Sequence, residues 1–491
     1  MIVFENDKKD RQVIPRWLPF ETAKQVGFLE SSAPVNTNLF KNFDYQEKFL
    51  LLKQDFNSVN ASEAVGLALQ YGDLQNFEAQ KAARFVVNSI DSSLLSKKLA
   101  SEFLQSVAGT HLTSSWDNIQ GYRQKIKNLK QSLSKYPGNA IGWMDLAYYY
   151  VCQNQDAKAR KCVLTALALS SSNRHILRSA VRFFVHQRES DIAHAILLKS
   201  SYRKIDPWIA ASYVAVCDRF NFSYKDHKII NGLVERTDLR PLSTSELSSA
   251  IGTLELSSGA VKNAKRYFRK SLIHPTENAL AQVETLNKTL KLDLSLARQS
   301  TTFNFEAVSH HLFHTQKYKD SLEAVWQWAH YQPFSSEPCI LGSYITGVAL
   351  EDYPQSAKFA EYGRISSPNS FTLTNNLAFA YANMGNILEA KSILQNVNVG
   401  DLSREQIATY LATQGLISFK TDNIEIGRNH YQEAINIFKS NKDVHSEALA
   451  TYFWLKEEKK IQNLEKFEIV LKAAKDLVKK LNFKEINIHD L

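Results

Sequence analysis

Hydrophobic residues recur along most of this chain at intervals of three and four, which is the spacing of one face of an α-helix. The clearest stretch is NNLAFAYANMGNILEAKSIL, residues 375–394. Its apolar and small residues fall on the faces of two successive helices, with Leu377, Ala378 and Tyr381 on the first and Ala390 and Leu394 on the second. Small side chains at Ala378 and Ala390 allow the two helices to cross closely. The pattern predicts two packed helices joined by a turn at Gly385.

The same register fits much of the remaining chain. Three further copies comprise Trp143, Leu146, Ala147, Tyr150, Ala159, Val163 and Ala166, then Phe305, Val308, Leu312, Tyr318, Val325 and Pro333, then Leu411, Gly415, Gly427, Tyr431 and Ala434. Weaker copies begin near Leu177, Trp208, Leu247 and Ile340. One of them departs from the pattern, because Asn263 occupies the position of the small residue and Ala264 follows one position late. These units resemble the tetratricopeptide repeat (TPR), a helix–turn–helix unit of about 34 residues.

The resemblance covers residues 140–440 and implies an all-α fold, a right-handed superhelical solenoid of TPR-like repeats with a concave groove. We therefore expect four regions. They are an irregular N-terminal arm at 1–40, helices at 41–139 that are either diverged repeats or a separate cap, the TPR-like solenoid at 140–445 and capping helices at 446–491. In this family the first helix of each repeat lines the groove.

Composition agrees with a helical protein and narrows its surroundings. The 491 residues include only 17 Gly and 11 Pro, which disfavours a β-rich chain. Four cysteines without a C-x-x-C pair predict reduced thiols and a cytoplasmic protein. We expect no signal peptide and no membrane span, since no apolar run is long enough. The formal charge of +9 permits an acidic protein or nucleic acid as partner without selecting either.

A file of cations follows one face of the helix predicted at residues 173–188. Arg174, Arg178, Arg182 and His186 are spaced four residues apart, at positions that the resemblance places in the groove. Guanidinium groups there can pair with carboxylates or phosphates of an incoming chain. The alternative is a solvated face whose cations form ion pairs with neighbouring repeats.

Further groove positions hold Glu306, His310 and His314 on one first helix, Asn375, Phe379 and Asn383 on another, and Tyr148 on a third. Two His four residues apart can chelate a metal if a third ligand converges. Glu306 and His314, however, are about 12 Å apart along a straight helix, so we predict polar groove residues and no bound metal or cofactor. An amide such as that of Asn375 can both donate to and accept from a peptide backbone. The chain's own arm or cap could also fill the groove.

No glycine-rich phosphate loop, H-E-x-x-H or G-x-S-x-G motif occurs, so we expect no enzyme. The sequence predicts a protein-interaction scaffold or adaptor whose groove binds a partner segment, either acidic or extended. An α-solenoid that contacts nucleic acid is the alternative, through the same cations and Lys262, Lys265, Arg266, Arg269 and Lys270. A metal or enzymatic site at Glu306, His310 and His314 is a weaker one.

Overall fold

The computed structural model describes residues 12–20, 44–70, 76–89, 115–461 and 464–481, with a few further positions between 92 and 104. These described residues form helices and turns and include no β-strand. They divide into two compact units, one comprising Gly27–Gly121 and the other Met1–Val26 with Tyr122–Leu491. The all-α prediction is confirmed. None of the described helices has an apolar stretch long enough to cross a bilayer.

The smaller unit contains three described helices, α1 (Asp44–Gln54), α2 (Ser58–Gln70) and α3 (Phe77–Asn88). Small side chains let these helices approach closely, and their core consists largely of alanines. Asn76 caps α3, since its side-chain oxygen accepts a hydrogen bond from the backbone N–H of Ala79 at 3.1 Å.

The larger unit is an array of TPR-like helix pairs that follows helix α4 (Ser115–Lys135). The first helices of the pairs are α5 (Ala140–Val151), α7 (Arg174–His186), α9 (Pro207–Arg219), α11 (Pro241–Ser257), α13 (Glu277–Leu290), α15 (Phe305–His314), α17 (Glu337–Tyr344), α19 (Phe371–Met384), α21 (Arg404–Lys420) and α23 (Val444–Ile461). The second helices are α6 (Asp156–Leu169), α8 (Ser190–Lys199), α10 (His227–Val234), α12 (Val261–Ser271), α14 (Ser295–Ser300), α16 (Tyr318–Tyr331), α18 (Tyr353–Ser366), α20 (Ile387–Gln395), α22 (Ile424–Ser440) and α24 (Leu464–Leu481). Helices α5, α7, α9 and α11 begin 33 or 34 residues apart, which is the predicted repeat length.

Local sequence sets the ends of these helices. Side chains of Asn139, Asn173 and Asp206 accept hydrogen bonds from the first turns of α5, α7 and α9. The turn predicted at Gly385 is present, with φ at 88°, a left-handed conformation that glycine adopts without a Cβ clash. Short turns of this kind return the chain antiparallel to itself, so each pair packs locally.

Small residues lie where the two helices of a pair cross, as the repeat pattern predicts. A Cβ added to Gly427 on α22 would lie 2.5 Å from Cδ2 of Phe419 on α21, and one added to Gly415 would lie 2.9 Å from Cδ2 of Tyr431. In α12 the displaced alanine performs this role, because Ala264 is fully buried while Asn263 is exposed.

First and second helices differ in how much of their surface is buried. Every residue of α9 from Pro207 to Cys217 is buried, whereas α8 buries only Ala193 and Leu197. A helix that is buried all round lies inside a protein, and a helix with a single buried stripe lies at its surface. The same difference holds for most pairs, including α5 with α6, α11 with α12 and α19 with α20, so the first helices form an inner layer and the second helices an outer layer.

The last described pair, α23 and α24, continues this packing, with Val470 and Ala474 of α24 buried against the array core. The predicted capping region is thus helical at 446–461 and 464–481, and residues 482–491 lie outside the described part of the chain. The right-handed twist and the division at residues 40, 139 and 445 stay predictions.

Candidate functional site

An extended segment of the chain lies against the inner layer of helices. We call residues 12–20, QVIPRWLPF, the arm segment; residues 12–19 form no helix. Its Val13, Trp17 and Leu18 are at most 2% exposed. The rest of the predicted irregular arm, residues 1–11 and 21–40, lies outside the described residues.

Trp17 occupies a box of three aromatic side chains. Its ring centroid is 5.5 Å from that of Tyr148 and 6.0 Å from that of Phe183, both edge to face, and 5.6 Å from that of Phe334. Such edge-to-face contacts are favourable beyond the area they bury. Burying a Trp side chain removes 150–250 Å² from water, a gross gain of about 4 to 6 kcal/mol. The box consequently holds the arm segment mainly by apolar contact, since indole Nε1 has no hydrogen-bond partner among the described residues.

Arg16 enters a polar site next to this box, formed by Glu277, Glu306 and Gln332, which we call the acidic seat. Nη2 of Arg16 donates to Glu306, and Nη1 donates to Oε1 of Gln332 at 3.0 Å. Nε of Arg16 is 3.9 Å from Oε1 of Glu277 and has no hydrogen-bond partner within the part of the chain that the structure describes. Two carboxylates thus face one guanidinium, so the seat is selective for a cation.

Burial changes the ionisation of the acidic seat. Glu277 is buried, and removal from water raises its pKa to about 7 even though Arg16 lowers it. The charge of Glu246 raises this pKa further, and that of Arg178 lowers it. The charge within the seat is therefore sensitive to pH near neutrality.

Polar side chains also hold the backbone of the arm segment. Nδ2 of Asn278 donates to the carbonyl oxygen of Ile14 at 3.0 Å, and the backbone N–H of Phe20 donates to Oδ1 of Asp145 at 2.9 Å. At the other end, the amide of Gln12 donates to Oδ2 of Asp218 at 2.7 Å. These contacts to the Ile14 carbonyl and the Phe20 N–H are available to any extended polypeptide, whatever its side chains.

The predicted file of cations does not form an exposed stripe. Arg174 pairs with Asp206, Nε to Oδ2 at 2.6 Å. Arg178 is 6% exposed, and it donates to the carbonyl of Trp208 at 2.9 Å and to Oε2 of Glu246 at 2.8 Å. The expectation that Arg178 faces an open groove is corrected, because acceptors on the next two first helices bind its guanidinium inside the array.

Arg182 and His186, the other members of the file, lie beside the aromatic box. The Arg182 guanidinium is 5.4 Å from the ring centroid of Phe334, and the His186 ring is 5.6 Å from the same centroid. Burial and the charge of Arg182 lower the pKa of His186 to about 4, so its imidazole is neutral at pH 7. Tyr148, Arg182 and His186 are thus brought together around Trp17 and Phe334.

The residues of the second predicted file, Glu306, His310 and His314, make different contacts. Glu306 binds Arg16, while His310 packs edge to face on Trp328 with centroids 5.6 Å apart. The His310 and His314 rings lie 6.3 Å apart. Within the described part of the chain, no three His, Cys, Asp or Glu residues are placed to hold a metal ion. Glu306 therefore acts as a seat for a cationic side chain.

Asn375, Phe379 and Asn383, the three predicted groove residues of α19, make their contacts inside the array. Asn375 is fully buried and its Oδ1 accepts from Thr413 at 2.8 Å. Phe379 is also fully buried and packs on Phe453 with centroids 4.9 Å apart. Asn383 donates from Nδ2 to the carbonyl of Phe379 at 3.0 Å. The expectation that Asn375 and Phe379 are offered to a partner is corrected, because α21 and α23 cover them.

The sequence allows the chain's own arm to fill the groove, but it does not indicate that Arg16 and Trp17 make the contacts. Glu277, Asn278 and Gln332 carry no motif, and Phe334 lies in the connection after α16. The sequence feature that could have indicated this site is the pair Glu277–Asn278 at the start of α13, next to positions that the repeat assigns to the groove. Spacing alone does not bring Phe334 to Trp17.

The cysteines offer no activated nucleophile. All four are free and buried, and burial raises the pKa of Cys162 and Cys217 to about 11. Burial also raises the pKa of the Cys152 and Cys339 thiols. A thiol must ionise to act as a nucleophile, so these four are structural side chains.

Comparison with known proteins adds little to this geometry. No family model matches the chain, and no curated protein matches it. Among solved structures, the crystal structure of the APC/C hetero-tetramer Cut9-Hcn1 is similar at 14% sequence identity and a TM-score of 0.41, covering 90% of this chain and 85% of that one. The description of this chain as an all-α array of TPR-like pairs therefore rests on its own helices.

Proposed function

We propose that this chain is a non-catalytic protein-interaction scaffold whose inner layer of first helices binds an extended polypeptide. The observation that carries the proposal is the arm segment itself. It lies on the inner layer as a peptide would, with a cation in the acidic seat, an aromatic ring in a box and its backbone bonded by side chains. A surface that binds one extended segment in this way has the chemistry to bind another.

The experiment is affinity purification from the native cell with four versions of the full chain. Trp17→Ala weakens the arm segment, Glu306→Lys reverses a charge of the acidic seat, and wild type is the reference. We expect a set of proteins whose recovery rises with Trp17→Ala and falls with Glu306→Lys. The exposed Glu433→Lys is the matched charge control and should recover the wild-type set. Equal recovery by all four versions would place partner binding elsewhere, and no recovery by any of them would contradict a scaffold.

A second candidate function is contact with nucleic acid through α12. This helix, VKNAKRYFRKS, contains five cations and no acid, and Lys262, Arg266 and Arg269 are exposed. Cations on an exposed helix bind phosphates with a strong dependence on salt, and three contacts correspond to a log–log slope of about −3. An RNA mobility-shift assay with the Lys262/Arg266/Arg269→Ala variant tests this role. A wild-type shift that persists in this variant, or no shift at low salt, would exclude it.

A further inference from the structure

We propose that the inner layer carries a binding site specific for an arginine followed directly by an aromatic residue. In this chain the arm segment occupies the site, and a partner segment of the same chemistry binds there by displacing the arm segment. This inference rests on the proposed function and names the partner chemistry of that site. It follows from the two side chains of the arm segment that enter the array and from the polar atoms that they leave unsatisfied.

The acidic seat selects the arginine. Glu277 and Glu306 face Arg16 from two different first helices, and Gln332 accepts from Nη1. The planar guanidinium donates to Glu306 and Gln332 while its Nε faces Glu277, whereas a lysine ammonium is a single point charge. An acidic or neutral residue would leave two buried carboxylates facing no cation. The seat therefore discriminates by charge and by shape.

The box selects an aromatic ring, and an indole is not required. Trp17 contacts Tyr148, Phe183 and Phe334 through its rings, while its buried Nε1 has no hydrogen-bond partner in residues 12–20 or the described helices around them. No polar group of the box thus distinguishes Trp from Phe. A phenyl ring can make the same edge contacts without burying an unpaired N–H.

The arm segment is an imperfect occupant of this site, because some of the polar atoms buried there remain unpaired. In the docked state, none of the described residues forms a hydrogen bond with Nε of Arg16, Nε1 of Trp17 or Oε1 of Glu277. Each unpaired buried polar atom weakens docking relative to a better-matched segment. The backbone contacts through Asn278 and Asp145 do not depend on sequence, so a segment from another chain can use them as well.

The direct test uses the full chain and a fluorescent synthetic peptide with the sequence of residues 12–20. Binding to the Trp17→Ala chain should be about tenfold tighter or more than binding to wild type, because the docked arm leaves only a small fraction of wild-type sites open. A peptide carrying Trp17→Phe should bind within a few-fold, and one carrying Arg16→Glu should not bind. Introducing Glu306→Gln into the Trp17→Ala chain should weaken binding, whereas the exposed Glu433→Gln should not.

A second measurement keeps the proposal testable if Trp17→Ala fails to fold. Excess peptide is added to wild type, and hydrogen exchange of residues 12–20 is followed by mass spectrometry. Displacement predicts faster exchange of this segment and unchanged exchange of α5 and α13. Unchanged exchange of residues 12–20, or equal peptide binding by wild type and folded Trp17→Ala, would overturn the proposal. Partner recovery from cells that still depends on Glu306 would then leave the scaffold function standing without this specificity.

Discussion

Arg178 donates a hydrogen bond from Nη2 to Oε2 of Glu246 over 2.8 Å, with side chains 7% and 0% exposed. The same guanidinium bonds the carbonyl of Trp208 and lies 5.0 Å from the centroid of its ring. One arginine thereby ties α7 to α9 and α11, the first helices of the next two pairs. The cation that the spacing pattern assigns to a binding groove instead stabilises the stacking of repeats.

Removing Arg178 should therefore destabilise the array far more than removing its neighbour Arg174. Arg178→Met leaves the Glu246 carboxylate buried without its cation, which typically costs about 3 to 5 kcal/mol of unfolding free energy. Arg174→Met breaks a pair in which the arginine is 38% exposed, worth about 1 kcal/mol or less. Urea denaturation followed by circular dichroism measures both. Equal losses would show that the buried pair is not a specific link between repeats.

Gly427→Ala should destabilise the pair α21–α22 by about 1 to 3 kcal/mol, because the new Cβ would lie 2.5 Å from Phe419 and 3.1 Å from the carbonyl oxygen of Gly415. The matched control is Gly232→Ala in α10, where no atom lies within 4 Å of the added Cβ. That change should be neutral or stabilising, since alanine favours a helix. Thermal unfolding of the two variants compares them directly, and a stable Gly427→Ala would refute close crossing at this position.

The contribution of Glu277 to stability should fall as the pH rises through the titration of this carboxyl. The pKa of this carboxyl is raised from 4.5 to about 7 in the folded chain, so the folded state binds its proton more tightly than the unfolded state. The resulting stabilisation is complete below about pH 4.5 and is lost as the pH rises to about 7, with a ceiling of about 3 kcal/mol. The groups facing Glu277 are Arg16, Arg178, Glu246 and Tyr331.

Glu277→Gln isolates this contribution. Between pH 5 and pH 8 the unfolding midpoint of wild type should fall relative to that of Glu277→Gln, because glutamine carries no charge to bury. Parallel pH profiles for the two proteins would mean that Glu277 titrates as it does in the unfolded chain.

Acid should destabilise the same region through His175. Burial, with the charge of Arg178, lowers the pKa of this imidazole from 6.5 to about 4, and its ring packs edge to face on Phe20 of the arm segment at 5.6 Å. Stability is then complete above about pH 6.5 and declines as the pH falls towards 4. His175→Phe keeps a ring and removes the proton site, so its unfolding midpoint should fall less between pH 6.5 and pH 4.5. The exposed His274→Phe is the control substitution.

Much of the fold followed from the pattern of residues. The pairing of α19 with α20, the turn at Gly385 and the close crossing at Gly415 and Gly427 all depend on contacts within one repeat. Such contacts join residues near in sequence, so their spacing determines which side chains meet. The candidate site was only partly predictable, since Tyr148, Arg182, His186 and Glu306 border it while Arg178, Asn375 and Phe379 are buried elsewhere.

The sequence by itself determined the helices, their pairing and the face by which each pair packs, because a period of 3.6 residues sets all three locally. Only the tertiary structure decided what covers the inner layer. Trp17 meets Phe334, and Arg16 meets Glu306, because the stacking of successive pairs brings together residues that are far apart in sequence. The orientation between repeats depends on many side chains at once, and a segment far away in sequence fills the space that this orientation leaves.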